Sequence, residues 1–135
     1  MYGYVLQDWI TIRGSATLTD VVQGENDWMG FSSFQDIVFW VDIREVTNPT
    51  SGAINLSLET APTKDDILFQ AMQTITGITT GVTLKPNILS AAGTTVPLAT
   101  WVRWRLHPTG SSTQPWDVTF RVLAAANRVV RGQVA

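Results

Sequence analysis

The stretch Asp36-Ile37-Val38-Phe39-Trp40-Val41-Asp42-Ile43-Arg44 decides the fold class. Ile37, Phe39, Val41 and Ile43 fall on one side of an extended chain, while Val38, Trp40, Asp42 and Arg44 fall on the other. No helix satisfies that period of two, because helical neighbours recur every three or four residues. The stretch is a strand with one face for a core, and it reads as central in its sheet.

Outward from this strand, Asn48-Pro49-Thr50-Ser51-Gly52 is a turn cluster, after which Ile54, Leu56 and Leu58 alternate with Asn55, Ser57 and Glu59. The two strands are expected to form an antiparallel hairpin. A matching pair lies near the C-terminus. There Val102, Trp104 and Leu106 alternate with Trp101, Arg103 and Arg105, and Val118, Phe120 and Val122 alternate with Asp117, Thr119 and Arg121. Residues 107–115 between them carry two prolines and a glycine among small polar residues, the chemistry of a surface loop. A hairpin aligning these apolar sets puts Trp104 against Val118 or Phe120, and Arg103 and Arg105 near Asp117, Thr119 and Arg121.

Residues 5–13 also read as a strand, and residues 75–84 are too rich in Thr, Val and Gly for a helix. Residues 63–72 support two readings. Thr63 can cap a short helix carrying Ile67, Leu68, Ala71 and Met72 as its apolar stripe, or Pro62 can turn the chain into a strand through Leu68 and Gln70. Strands and turns without helical periods imply an all-β fold: a two-sheet antiparallel β-sandwich, jelly-roll-like, of about eight strands. The expected core is Ile37, Phe39, Val41, Ile54, Leu56, Leu58, Val102, Trp104, Leu106, Val118 and Phe120. One domain is expected over residues 1–135, with an N-terminal arm at 1–8 and a C-terminal tail at 127–135.

Composition narrows the function classes. Only 15% of the 135 residues are charged, against about a quarter in a typical soluble domain. Such a surface is weakly protected against association. The net charge is −2 and Lys64 and Lys85 are the only lysines, so no basic footprint for a nucleic acid is expected. Cysteine is absent, which removes disulfides and thiolate metal sites. No apolar run is long enough to span a bilayer, and Met1-Tyr2-Gly3-Tyr4 does not open a signal peptide, so neither membrane nor export is expected.

His107 is the only histidine, and no nucleophile elbow, P-loop or dinucleotide fingerprint occurs. We therefore expect no enzyme, metal or cofactor. Asp20, Glu25 and Asp27, like Asp65 and Asp66, read as turn carboxylates without the spacing of a calcium loop. Asn55-Leu56-Ser57 matches a glycosylation sequon inside a strand, where chance is the better account.

The six tryptophans are more informative. A sandwich core of this size accepts two or three such rings before unsatisfied indole N–H groups become costly. Alternation puts Trp40 beside Asp42 and Arg44, and Trp101 beside Arg103 and Arg105. Tryptophan with arginine at a surface marks a protein interface or a sugar platform; the plainer reading is arginine stacked on tryptophan within one sheet, worth roughly 0.5–1 kcal/mol. The chain ends carry Tyr2, Tyr4, Val5 and Leu6, and Val129, Val130 and Val134, where solvated termini are normally polar. Each end either contacts a neighbour or adds an edge strand to its own sandwich.

Residues 56–62, 101–106 and 116–122 together resemble small β-sandwich virion proteins of tailed bacteriophages, in particular capsid-decorating proteins with jelly-roll or galactose-binding-like topology. The resemblance implies a non-enzymatic protein that assembles on a shell, commonly as a trimer, with an N-terminal arm reaching neighbours. Its partners would be copies of itself and a major capsid protein, and its location the virion, assembled in the host cytoplasm. The interface candidates are Tyr2, Tyr4, Trp40, Trp101, Arg103, Arg105, Val129 and Val130. The alternative function is a carbohydrate-binding module that uses the surface Trp and Arg residues on a glycan.

Overall fold

A computed structural model of the chain describes residues 2–14, 18–88, 96–111 and 114–128, and of Tyr2 the backbone alone. Among them are nine strands: β1 (Tyr2–Gly14), β2 (Val21–Val22), β3 (Met29–Gly30), β4 (Phe34–Thr47), β5 (Ile54–Ala61), β6 (Gln70–Ile75), β7 (Gly81–Asn87), β8 (Trp101–Pro108) and β9 (Trp116–Arg128). Single 3-10 turns, η1 (Glu25–Asp27) and η2 (Asp66–Leu68), interrupt two of the connections.

The strands form two antiparallel sheets. The first runs β1-β9-β4-β7; the second runs β2-β8-β5-β6, with β3 also beside β8. The pairing is nested, first strand with last and second with next to last, down to β5 with β6. That order is a long antiparallel ribbon wrapped around a core, which is the jelly-roll arrangement.

All eleven expected core residues are buried between the sheets. The expected hairpins, however, are not formed. β4 pairs with β7 and β9, and β5 with β6 and β8, so the 48–53 turn carries the chain across the core. The same holds between β8 and β9, and Trp104 meets Phe120 across the core, edge to face at 5.0 Å. Alternation says which face of a strand is buried, but not whether the next strand lies beside it or opposite. The two crossing loops close one end together: Ser111 N–H donates to the Thr50 carbonyl at 2.7 Å, and Thr109 N–H to Ala53 at 2.8 Å. A side chain at Gly52 would collide with the Thr109 backbone there.

β1 is one continuous strand along β9, so residues 2–8 are an edge of this sandwich rather than a free arm. Register irregularities between Val5 and Ile10 place Gln7 opposite Val122, where its amide oxygen accepts the indole N–H of Trp104 at 3.0 Å. That bond removes the main cost of burying Trp104. At the other end of β1, the fully buried Trp116 ring lies across Gly14 and leaves no room for a Cβ. Within 63–72, neither reading holds over the whole span. Thr63 donates its hydroxyl to Asp65 instead of capping a helix, Leu68 belongs to η2, and the strand begins at Gln70.

Candidate functional site

Each sheet has an outer face, and the two are built in opposite ways. On the second sheet, alternation along β8 points Arg103, Arg105 and His107 away from the core. Glu59 on β5 stands opposite Arg103, and its two oxygens accept from Arg103 Nε at 2.8 Å and Arg105 Nε at 2.9 Å. Arg103 Nη1 continues to Asp66 at 2.5 Å, Arg105 Nη1 to Asp20 at 3.0 Å, and His107 Nδ1 lies 2.6 Å from the other Asp20 oxygen. The result is a ladder of alternating sign along one strand.

This ladder is roofed at its Arg103 end. The loops that carry η1 and η2 bring Trp28 and Phe69 over the Arg103 guanidinium, at 4.9 and 3.9 Å, and their rings meet at 4.8 Å. Arg103, expected at the surface, is 0% exposed. It does lie on the outer side of β8, but distant loops cover that side. Its Nη2 has no hydrogen-bond partner among the described residues; the aromatic faces supply its electrostatic complement. Trp101 is half-buried, with the Lys64 ammonium over its ring at 4.3 Å, and Arg105 is half-buried within the ladder.

The electrostatics follow from these contacts. The hydrogen bond and charge of Arg103 hold the Asp66 carboxyl below the usual aspartate value. For Asp20, partial burial works against the charged form, but the hydrogen bonds from His107 and Arg105 outweigh it and the carboxyl is also lowered. Burial likewise opposes the charge on Arg105, and its bonds to Glu59 and Asp20 raise it instead.

The outer face of the first sheet is bare. Register sets Leu84 beside Trp40, Trp40 beside Leu123 and Leu123 beside Val5, an apolar row across all four strands. Val5 is 55% exposed, Leu84 52% and Trp40 37%. The adjacent row is Pro86, Val38, Ala125 and Gly3, where small residues lower the floor. Between the rows lies an open groove of about 500 Å³, lined by Val5, Trp40 and Leu123 and floored near Gly3 and Ala125. The row on the other side is mixed: Val82, 62% exposed, stands beside Asp42, to which Arg121 donates at 3.0 Å. Arg121 and Arg44 both stack on Trp9, at 4.8 and 4.1 Å. Stacking within one sheet thus occurs, but at Trp9 rather than at Trp40 or Trp101.

Of the candidates read from sequence, Trp40 is the one at the centre of an exposed apolar surface. Tyr4 turns inward against Phe31 and Phe34, at 5.2 and 5.7 Å. The side chain of Tyr2, and Val129 and Val130 entirely, lie outside the described residues. Arg103 and Arg105 belong to the roofed face. The members missed are Leu84, Val82 and Leu123. Leu123 carries a signal, as an apolar residue out of phase with the core set of β9, but the inward phase of β7 is Thr83, Lys85 and Asn87, so alternation alone turns Val82 and Leu84 the wrong way. Among the described residues no group of three or more His, Asp or Glu side chains is placed to hold a metal. Comparison with protein-family models, with curated proteins and with solved structures finds no match to this chain.

Proposed function

We propose that the protein is a non-enzymatic structural subunit of a virion, which decorates or cements a capsid by packing against copies of itself and against the shell. The observation that carries this reading is the row Leu84, Trp40, Leu123 and Val5, a continuous apolar strip that spans a whole sheet and faces solvent. Isolated exposed apolar residues are ordinary, but a contiguous strip marks an association surface. Jelly rolls serve in viral capsids and also in lectins and cupins, so fold alone does not choose among them. The neighbours of Trp40 in its row are aliphatic, and in the next row Asp42 and Arg121 are bonded to each other, whereas a sugar platform needs hydrogen-bonding groups available beside the ring. That difference supports a protein partner over a glycan. Many weak contacts multiplied across a symmetric lattice would supply the holding strength.

Light scattering on the purified chain tests this reading. The wild type should be a closed oligomer, with a trimer favoured, and Trp40→Glu should be a monomer of unchanged circular dichroism. A wild type that stays monomeric at every concentration, with Trp40-dependent binding on a glycan array, would replace the proposal by the carbohydrate-binding one. Immunogold labelling of particles assembled from the genome that encodes the chain tests the location, and unlabelled capsids would sink it.

A further inference from the structure

The roof over the second sheet ends in an apolar projection. In η2, Ile67 is 87% exposed and Leu68 43% exposed. Their backbone is nevertheless fixed on both sides. Asp66 is ion-paired to the wholly buried Arg103, Phe69 is buried against Trp28, and the turn closes with Leu68 N–H donating to the Asp65 carbonyl at 3.0 Å. A rigid, solvent-exposed isoleucine forms nothing within its own chain, whereas for binding it is already ordered.

We infer that Ile67 and Leu68 are a finger that inserts into the Trp40 groove of a second copy of this chain. The inference rests on the proposed function and names the occupant of its surface. Finger and groove lie on the outer sides of opposite sheets, so a molecule cannot join its own two halves. Shape and polarity match: a convex pair of branched aliphatic side chains meets an apolar groove of about 500 Å³. Charge favours the contact at one point. Asp65 flanks the finger, and Glu25 and Asp27 sit on the adjoining η1 loop. The second sheet and its covering loops carry six carboxylates and three Lys or Arg residues, against five and five on the strands of the first sheet. On the outer side of that sheet Arg44 is exposed beyond the Asp42 row, towards which an acidic loop would be drawn. A contact between two different patches is heterologous, and it closes into a ring when its rotation allows.

Mixing experiments distinguish this contact from every symmetric one. Ile67→Asp removes the finger and keeps the groove; Trp40→Asp does the reverse, with Val5→Asp as a second groove variant. Each alone should be monomeric in light scattering, with wild-type circular dichroism. An equimolar mixture of Ile67→Asp with either groove variant should give a one-to-one dimer and nothing larger, because one good finger meets one good groove. If Ile67→Asp assembles as the wild type does while Trp40→Asp is monomeric, the finger is overturned and the association surface stands. A mixture that stays monomeric also overturns the heterologous contact. If neither substitution alters assembly, or the wild type is itself a monomer, this inference and the function beneath it fall together.

Discussion

The outer face of the second sheet is rich in charge and closed to water around Arg103 and Glu59, whereas the outer face of the first is rich in aliphatic groups and open. Surface residues are normally sorted the other way. On the second sheet, Glu59, Arg103 and Arg105 satisfy one another before a partner arrives, and Trp28 and Phe69 seal Arg103. On the first sheet, Leu84, Trp40 and Val5 have nothing above them among the described residues. Polarity of a strand's outer phase therefore does not say whether that face is wet; the covering loops decide it. One face is finished within the molecule, and the other is where association remains to be gained.

The strongest way to break this contrast is to open the roofed face. Arg103→Leu removes a fully buried guanidinium, leaving Glu59 to Arg105 alone and Asp66 without its anchor. Removing one partner of a buried pair typically costs about 3–5 kcal/mol. Glu59 keeps a second arginine, so the loss should fall near the lower end, about 3 kcal/mol, in a denaturant melt. Arg103→Leu combined with Glu59→Leu should recover part of that loss, because the uncompensated charge goes with it. A loss below about 1 kcal/mol for the single variant would mean that water reaches this site and that the roof is not a seal.

A smaller effect is expected from acid. The Asp66 and Asp20 carboxyls are held below the ordinary aspartate value in the fold. The unfolded chain therefore binds more protons than the folded one as pH falls through the carboxylate range. The stability these groups add is fully present above about pH 4 and is lost below it as they protonate. Hydrogen exchange at 23–30 and 62–69 should rise in that window before exchange in β4 and β9 does. Asp66→Asn should flatten the dependence for 62–69. Uniform loss of protection across both sheets would show that the roof and the core open as one unit.

How much of this was legible in the sequence divides along the same line. Inward phases are readable wherever alternation is strict, and Ile37, Phe39 and Val41, Ile54, Leu56 and Leu58, and Val102, Trp104 and Leu106 are buried as expected. Pairing partners were not readable, because a strand beside its neighbour and a strand opposite it bury the same phase. Trp104 and Phe120 were thus expected to meet, and do, but across the core. Alternation alone puts Arg103 at the surface, because its cover, Trp28 and Phe69, comes from positions 75 and 34 residues away in the chain. The Trp40 surface was half legible. Trp40 stood out by residue type, whereas Leu84 and Leu123 join it only through cross-strand register.

The smallest effect tests the bare face most sharply. Leu84 and Val82 project from β7, an edge strand of the first sheet, and are 52% and 62% exposed. Leu84→Lys together with Val82→Thr removes little buried area, keeps a β-branched residue at position 82 and places a charge where edge strands commonly carry one. Surface substitutions of this kind are usually within about ±0.5 kcal/mol, and the monomer's melt should shift by no more than that. Self-association should weaken over the same concentration range in which the wild type assembles. Dilute samples separate the two effects, since stability of the isolated domain does not depend on concentration whereas assembly does. If the dilute double variant instead loses about 2 kcal/mol or more, Leu84 and Val82 are covered by their own chain. The first sheet would then be as closed as the second, and the contrast between the faces would be wrong.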